Sequence, residues 1–251
     1  MSRRSRYLEV ILGHDALSNN GKCVKCSGRD GFWRCLDCFG HEVLCRDCCR
    51  EYHYRLPFHR IEFWTGSHYR GDWLCNLGVV IDLGHGGRPC PLKSNSRKKL
   101  QISPLISPAS SSSIRDVVDI YLSPSGTQDD PDDATKLTIG HQNGIHRIWV
   151  RFCICGNGSD EYQLLDSALY PVTFTQIRTA FTFETLDDFR LENLECKTSA
   201  YHYFKKLRRL TSPLFPSAVP VCAEYILILC WLIQGRTAIV SSSGLADSGA
   251  I

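Results

Sequence analysis

The sequence predicts an α+β protein: a small metal-stapled cross-brace module, followed by a mainly antiparallel β region that closes on two helices. Three observations predict it. Residues 23–59 hold three Cys-x-x-Cys pairs and two trailing histidines. Beyond residue 60, short apolar-alternating or β-branched runs are separated by glycine-rich turns. From Leu186 onward the apolar period changes from two to that of a helix.

The cysteine segment comes first because its chemistry is the most specific. The pairs are Cys23/Cys26, Cys35/Cys38 and Cys45/Cys48, followed by His53 and His59. Two intervening residues let one tight turn aim both thiolates at one ion, yet no single knuckle completes a tetrahedron. Eight Cys and His ligands suit two closed tetrahedral zinc sites. The order suggests an interleaved pairing: Cys23, Cys26, Cys45 and Cys48 on one ion, and Cys35, Cys38, His53 and His59 on the other. So short a segment, poor in aliphatic residues, would draw its folding free energy from metal binding. Disulfides are the alternative, but they require no histidines, and no apolar leader run follows the basic residues 1–6. Cys49 adjoins Cys48, and neighbours on a helix point about 100° apart, so only one serves a given corner. Cys48 has the two-residue spacing from Cys45. His41 could replace a ligand or simply be a solvated loop histidine.

The rest of the chain is read in order. Residues 1–20 are expected to be a flexible basic arm (Arg3, Arg4, Arg6), with at most a short turn at 7–12. Residues 21–70 form the two-zinc module. Residues 60–64 alternate as a strand does, and 78–83 is a β-branched run bounded by glycines. Residues 93–136 combine Arg97-Lys98-Lys99, a serine run and an acidic run with recurrent proline, the composition of a disordered insertion; a brief helix or strand is expected at 114–122. A hairpin is expected over 137–141 and 145–154 across Asn143-Gly144. Further strands are expected at 162–169 and 173–183, then two helices within about 184–211, broken near 197–199. These fall in a β-rich cysteine-cluster region, 71–212. Residues 213–251 make an atypical tail. Its apolar stretch, 221–233, is interrupted by Glu224 and is shorter than the roughly 20 residues that span a bilayer.

A second constellation comprises His85 and Cys90 on a glycine-rich loop and Cys153 and Cys155 on the second hairpin strand. Residues two apart on a strand face one side, so the four could hold a third zinc and staple the β region. His146 or His141 could replace His85, and buried thiols beside a free loop histidine are the simpler alternative. Cys75, Cys196, Cys222 and Cys230 lack partners at motif spacing and read as packing residues.

The 251 residues are 43% hydrophobic and 22% charged, ordinary globular chemistry, but 14 cysteines in a reducing compartment call for metal. A net charge of +3 does not by itself predict nucleic acid, although Lys22, Lys25, Arg29, Arg34, Arg46, Arg50, Arg55 and Arg60 stud the cysteine segment. Those cations fit phosphate contact or a solvated surface around negative thiolates. No phosphate loop, Ser-His-Asp set or His-Glu-x-x-His motif occurs, and closed ligand sets leave no position for a reactive water. The expected class is therefore a binding module rather than an enzyme, with no small-molecule substrate and no membrane. Its partner would be DNA or chromatin, or a protein.

Cys45-Arg-Asp-Cys48-Cys49, Leu56-Pro57-Phe58-His59-Arg60, Trp64-Thr-Gly66-Ser-His68, Leu83-Gly84-His85 and Cys90-Pro91 occur in that order, followed by Asn143-Gly144-Ile145-His146, Phe152-Cys153-Ile-Cys155, Thr179-Ala-Phe181-Thr182-Phe183 and Ser199-Ala-Tyr201. Together they resemble the cysteine-cluster (CxC-type) domain that precedes fungal KDZ (Kyakuja-Dileera-Zisupton) transposases, over residues 23–211 apart from the insertion. The resemblance implies a zinc-binding accessory domain of a mobile element in a fungal nucleus. In that family a large catalytic domain of RNase H type follows, so the expectation is a form truncated before it, either a working module or a remnant. The eight-ligand cross-brace is also similar to ZZ and B-box modules, which hold peptides or partner domains.

Overall fold

The computed structural model describes residues 3–17, 19–92, 131, 133–156, 158–173 and 176–219. The expected brief element at 114–122, nearly all of the expected insertion, and the apolar stretch 221–233 lie outside the described residues. The chain divides into two compact units. The first comprises 1–136 with 147–157, and the second 137–146 with 158–251.

In the first unit, α1 (Arg3–Gly13) replaces the short turn expected there. Its residues are helix formers uninterrupted by Gly or Pro until Gly13, yet none of its side chains is buried. The core is built around β1 (Trp33–Cys35), α2 (Arg46–His53), β2 (Ile61–Trp64) and β3 (Tyr69–Asp72), whose strands form an antiparallel sheet in the order β1-β2-β3. Phe32, Trp33, Ile61 and Phe63 fill it, with Trp33 and Phe63 rings 5.0 Å apart. A 3₁₀ turn, Leu74–Leu77, ends on Gly78 in the left-handed region and leads into β4 (Val80–Asp82), shorter than the strand expected at 78–83.

Next come β5 (Thr135–His141) and β6 (Gly144–Arg151), the expected hairpin, each shared between the two units. Thr135 and Lys136, assigned to the insertion by composition, belong to β5. In the first unit β4 pairs with the end of β6 in parallel, Val80 opposite Trp149 and Asp82 opposite Arg151.

The second unit adds α3 (Asp160–Asp166), β7 (Leu169–Pro171), β8 (Thr179–Thr182), α4 (Phe183–Cys196) and α5 (Ala200–Thr211). Here β5 pairs with β8 in parallel, and β8 with β7 antiparallel. The fold is thus α+β as expected, but its β region is mixed rather than mainly antiparallel. The strand expected over 162–169 is mostly α3: Glu161, Gln163, Leu164 and Leu165 favour a helix, and Asp160 and Glu161 suit its first turn. Of the strand expected over 173–183, β8 covers Thr179–Thr182; it ends there because Thr182 caps α4, its Oγ1 accepting from the Thr185 N–H. The two expected helices are present and break at Lys197, which adopts a left-handed conformation (φ 56°). Phe181, Phe189, Tyr203 and Leu207 form their shared core.

Candidate metal centres

Three groups of Cys and His side chains converge, all in the first unit: Cys23/Cys26/Cys45/Cys48, Cys35/Cys38/His53/His59 and His85/Cys90/Cys153/Cys155. In each, the four ligand atoms lie within 4.8 Å of one another. Each group could hold a metal ion.

In the first group, the Cys23–Cys26 knuckle is a tight turn closed by Ser27 N–H donating to the Cys23 carbonyl at 2.9 Å. Gly31 lets the chain pass: a Cβ there would lie 2.8 Å from Val43 Cγ1 and 3.1 Å from Cys23 N. Cys45 occupies the N-cap of α2, and Cys48 lies in its first turn. The positive end of the helix thus faces the thiolates. Cys26 and Cys45 sulfurs are 3.9 Å apart, against an edge of about 3.8 Å for a tetrahedral zinc with Zn–S of about 2.3 Å.

The second group uses the other end of the same helix. His53 is fully buried at the C-terminal end of α2, and its Nδ1–H donates to the Cys49 carbonyl at 2.8 Å, leaving Nε2 to face Cys38 Sγ at 3.6 Å. A backbone acceptor that fixes the tautomer in this way is the usual outer support of a metal-binding imidazole. His59 presents Nδ1, 3.4 Å from Cys35 Sγ and 3.3 Å from Cys38 Sγ. These separations match the roughly 3.5 Å S···N edge of a tetrahedral zinc site. The β1–β2 register, Cys35 opposite Ile61, carries the second knuckle to the segment after His59. Asp37, inside the knuckle, accepts from the Arg60 backbone N–H at 2.6 Å and from its Nη2 at 2.7 Å. Burial raises the Asp37 pKa, but the Arg60 bonds outweigh it and hold the carboxyl below its ordinary range. Sequence reasoning passed over Asp37, although an acid inside a knuckle and an Arg directly after a ligand His were signals.

The third group follows from the parallel pairing. Parallel strands end on the same side, so the loop after β4 and the segment after β6 emerge together, joined by Leu83 N–H to the Arg151 carbonyl at 2.9 Å. The loop turns through four successive left-handed residues, Gly84, His85, Gly86 and Gly87. At Gly84 a Cβ would lie 3.1 Å from that of Cys153. His85 Nε2 is 3.1 Å from Cys153 Sγ, and Cys90 Sγ is 3.2 Å from Cys155 Sγ and 3.8 Å from Cys153 Sγ. Cys153 and Cys155 were expected on a strand; β6 ends at Arg151, so they lie beyond it, and the loop rather than the pleat aims them. An Asp82–Arg151 pair at 2.7 Å clamps the strand ends below the group. This group is the more open: His85 and Cys155 are exposed.

The alternatives left open by the sequence lie elsewhere. His41 faces the Cys35 carbonyl at 2.8 Å through Nδ1. His141 contacts Thr182, and His146 contacts Asn143, both in the second unit. Cys49 and Cys75 are buried outside all three groups, and Cys196 is exposed. Cys222 and Cys230 lie outside the described residues.

The crowded thiols differ in how readily they ionise. Burial opposes the Cys23 thiolate, yet backbone N–H groups of Cys26, Cys45 and Lys25 bring its pKa down to about 6. Burial pushes Cys35 up to about 12 and Cys48 higher still, with neighbouring thiols adding to the rise. One thiolate is favoured and the next ones resist; a bound cation removes that resistance and releases protons.

Residues 124–214 match the family model described as a CxC2-like cysteine cluster associated with KDZ transposases. Cys153 and Cys155 fall inside that match, whereas the first two groups precede it. The match also begins within the stretch expected to be an insertion. No curated protein and no solved structure matches the chain. The matched domain is an accessory cysteine cluster, and among the described residues no helix is long and apolar enough to cross a membrane.

Proposed function

We propose that the protein is a zinc-stapled accessory module of a KDZ-type transposase, acting in a fungal nucleus by contacting DNA or chromatin and performing no chemistry of its own. The observation that carries this reading is the composition of the three groups. Each offers four nitrogen or sulfur ligands, a set that favours zinc over oxygen-seeking cations and fills its tetrahedron. The ions would act as staples in a ZZ/B-box-like cross-brace, and no membrane or small-molecule substrate is involved. In this reading α2 is the central strut. It supplies Cys48 to the first ion and His53 to the second, so the two bind as a coupled pair.

A second reading, a protein partner instead of DNA, is favoured by one observation. Six of the eight cations around the first two groups already have carboxylate partners: Lys22–Asp30, Lys25–Glu51, Arg29–Asp47, Arg34–Glu62, Arg50–Asp47 and Arg60–Asp37. Retention of the zinc-loaded chain on immobilised duplex DNA as salt is raised separates the two. Retention that falls steeply with salt supports phosphate contact; failure to bind at low salt supports the protein partner.

A further inference from the structure

We propose that the outward face of α5 is a surface that docks on the phosphate backbone of duplex DNA, a proposal that rests on the DNA reading above and assigns the contact to the second unit rather than to the unit that holds the metal groups. The helix carries Lys205, Lys206, Arg208 and Arg209 and no carboxylate. At 100° per residue, its buried residues Ala200, Tyr203, Phe204 and Leu207 cluster on one side. Its exposed residues Tyr201, His202, Lys205 and Arg209 fall within about 100° of arc on the opposite side, with Arg208 flanking them.

The cations differ in what already holds them. Lys206 lies off the exposed arc and is bound to Asp188 and Glu192. Among the described residues, Lys205, Arg208 and Arg209 form no ion pair. Arg208 and Arg209 are in the last turn, where the helix dipole favours them, but that does not account for Lys205 one turn earlier. Around the first two metal groups six of eight cations are paired with carboxylates, whereas on this one helix face a row of three is left for an outside anion.

The face is also held rigid. Ser199 caps the helix by accepting from the His202 N–H at 3.3 Å, and Tyr203 donates to Asp188 at 2.7 Å on the inner side. Tyr201, 55% exposed, is the one tyrosine on the arc, with Lys205 Nζ 5.9 Å from its ring. A single tyrosine is no stacking platform for unpaired bases, so the charge pattern favours duplex backbone over single strands.

The test is fluorescence anisotropy of the full chain with a random-sequence 20-base-pair duplex across a salt series. Each phosphate contact adds about 0.9 to the slope of log affinity against log salt. K205A/R209A is expected to lower that slope by about 1.8, equivalent to about 60-fold weaker binding at 0.1 M salt. R70A/R147A, which removes equal charge from exposed positions of the first unit, is expected to leave the slope unchanged. An unchanged slope in K205A/R209A, or an equal loss in R70A/R147A, overturns the assignment to α5 while leaving DNA binding intact. No binding by the unmodified chain overturns both.

Discussion

Removing the carboxylate of Asp37 should loosen the second metal centre and spare the first. Asp37 holds the Cys35–Cys38 knuckle to the chain after His59 through the Arg60 backbone N–H and guanidinium, and the paired side chains are only 17% and 29% exposed. A hydrogen bond to a charged group contributes about 1.5–3 kcal/mol, and the Arg60 donors would be left without their acceptor. Asp37→Ala should therefore cost about 1.4–2.7 kcal/mol of ligand pre-organisation after discounting for solvent, or about 10–100-fold in affinity, the range typical of outer supports of metal ligands. Asp37→Asn, which keeps an acceptor and loses the charge, should fall at the low end. The assay is competition for zinc between the full chain and a chromophoric chelator, resolved into classes of site. Affinity at the Cys35/Cys38/His53/His59 centre should fall while the Cys23/Cys26/Cys45/Cys48 centre changes little. An unchanged profile, or a loss confined to the first centre, would refute the positioning role.

Other expectations follow from the same contacts. Chelating the metal should expose Trp33, Trp64, Trp73 and Trp149, all in the first unit, to water and shift their emission to the red, while circular dichroism from α4 and α5 persists. Gly140→Ala would place a Cβ 2.4 Å from the buried Phe181 ring, and urea unfolding should show a loss of about 1–3 kcal/mol, as overpacked cores do. Burial lowers the Lys206 pKa, but Glu192 and Asp188 outweigh it and raise it above the usual 10.5. Its contribution is then complete below that pH and is lost as pH rises through the raised value. Lys206→Met should remove that part of the alkaline stability loss in a pH series of thermal melts.

The centres were legible in the sequence to different depths. Cys-x-x-Cys spacing is a local signal, and the knuckle turns at 23–26 and 35–38 are local structures, so the groupings could be read directly. The third group depended on the parallel β4–β6 register, which no local pattern encodes. Val80, Ile81, Trp149 and Val150 look alike whether their strands run parallel or not. The route to that group was accordingly misjudged, with Cys153 and Cys155 expected on a pleat and found past the strand's end. Tyr162 and the leucines after it passed for a strand because a seven-residue helix burying only Leu164 shows too little periodicity. Helix α1 buries nothing, and its apolar residues Tyr7, Leu8, Val10, Ile11 and Leu12 spread over about 200° of arc rather than one narrow stripe, so no clear core-facing face marked it. The basic residues around the first two centres were visible, but not that six of the eight are paired with carboxylates, four of them with partners distant in sequence.

The most direct measurement of the account is zinc content combined with X-ray absorption on the full chain purified without chelators. Three ions per chain are expected, with first shells supplied by the nine sulfurs and three imidazole nitrogens of the three groups. Two ions would remove the His85/Cys90/Cys153/Cys155 centre, and one ion or none, or a first shell rich in oxygen, would contradict the metal-stapled architecture itself.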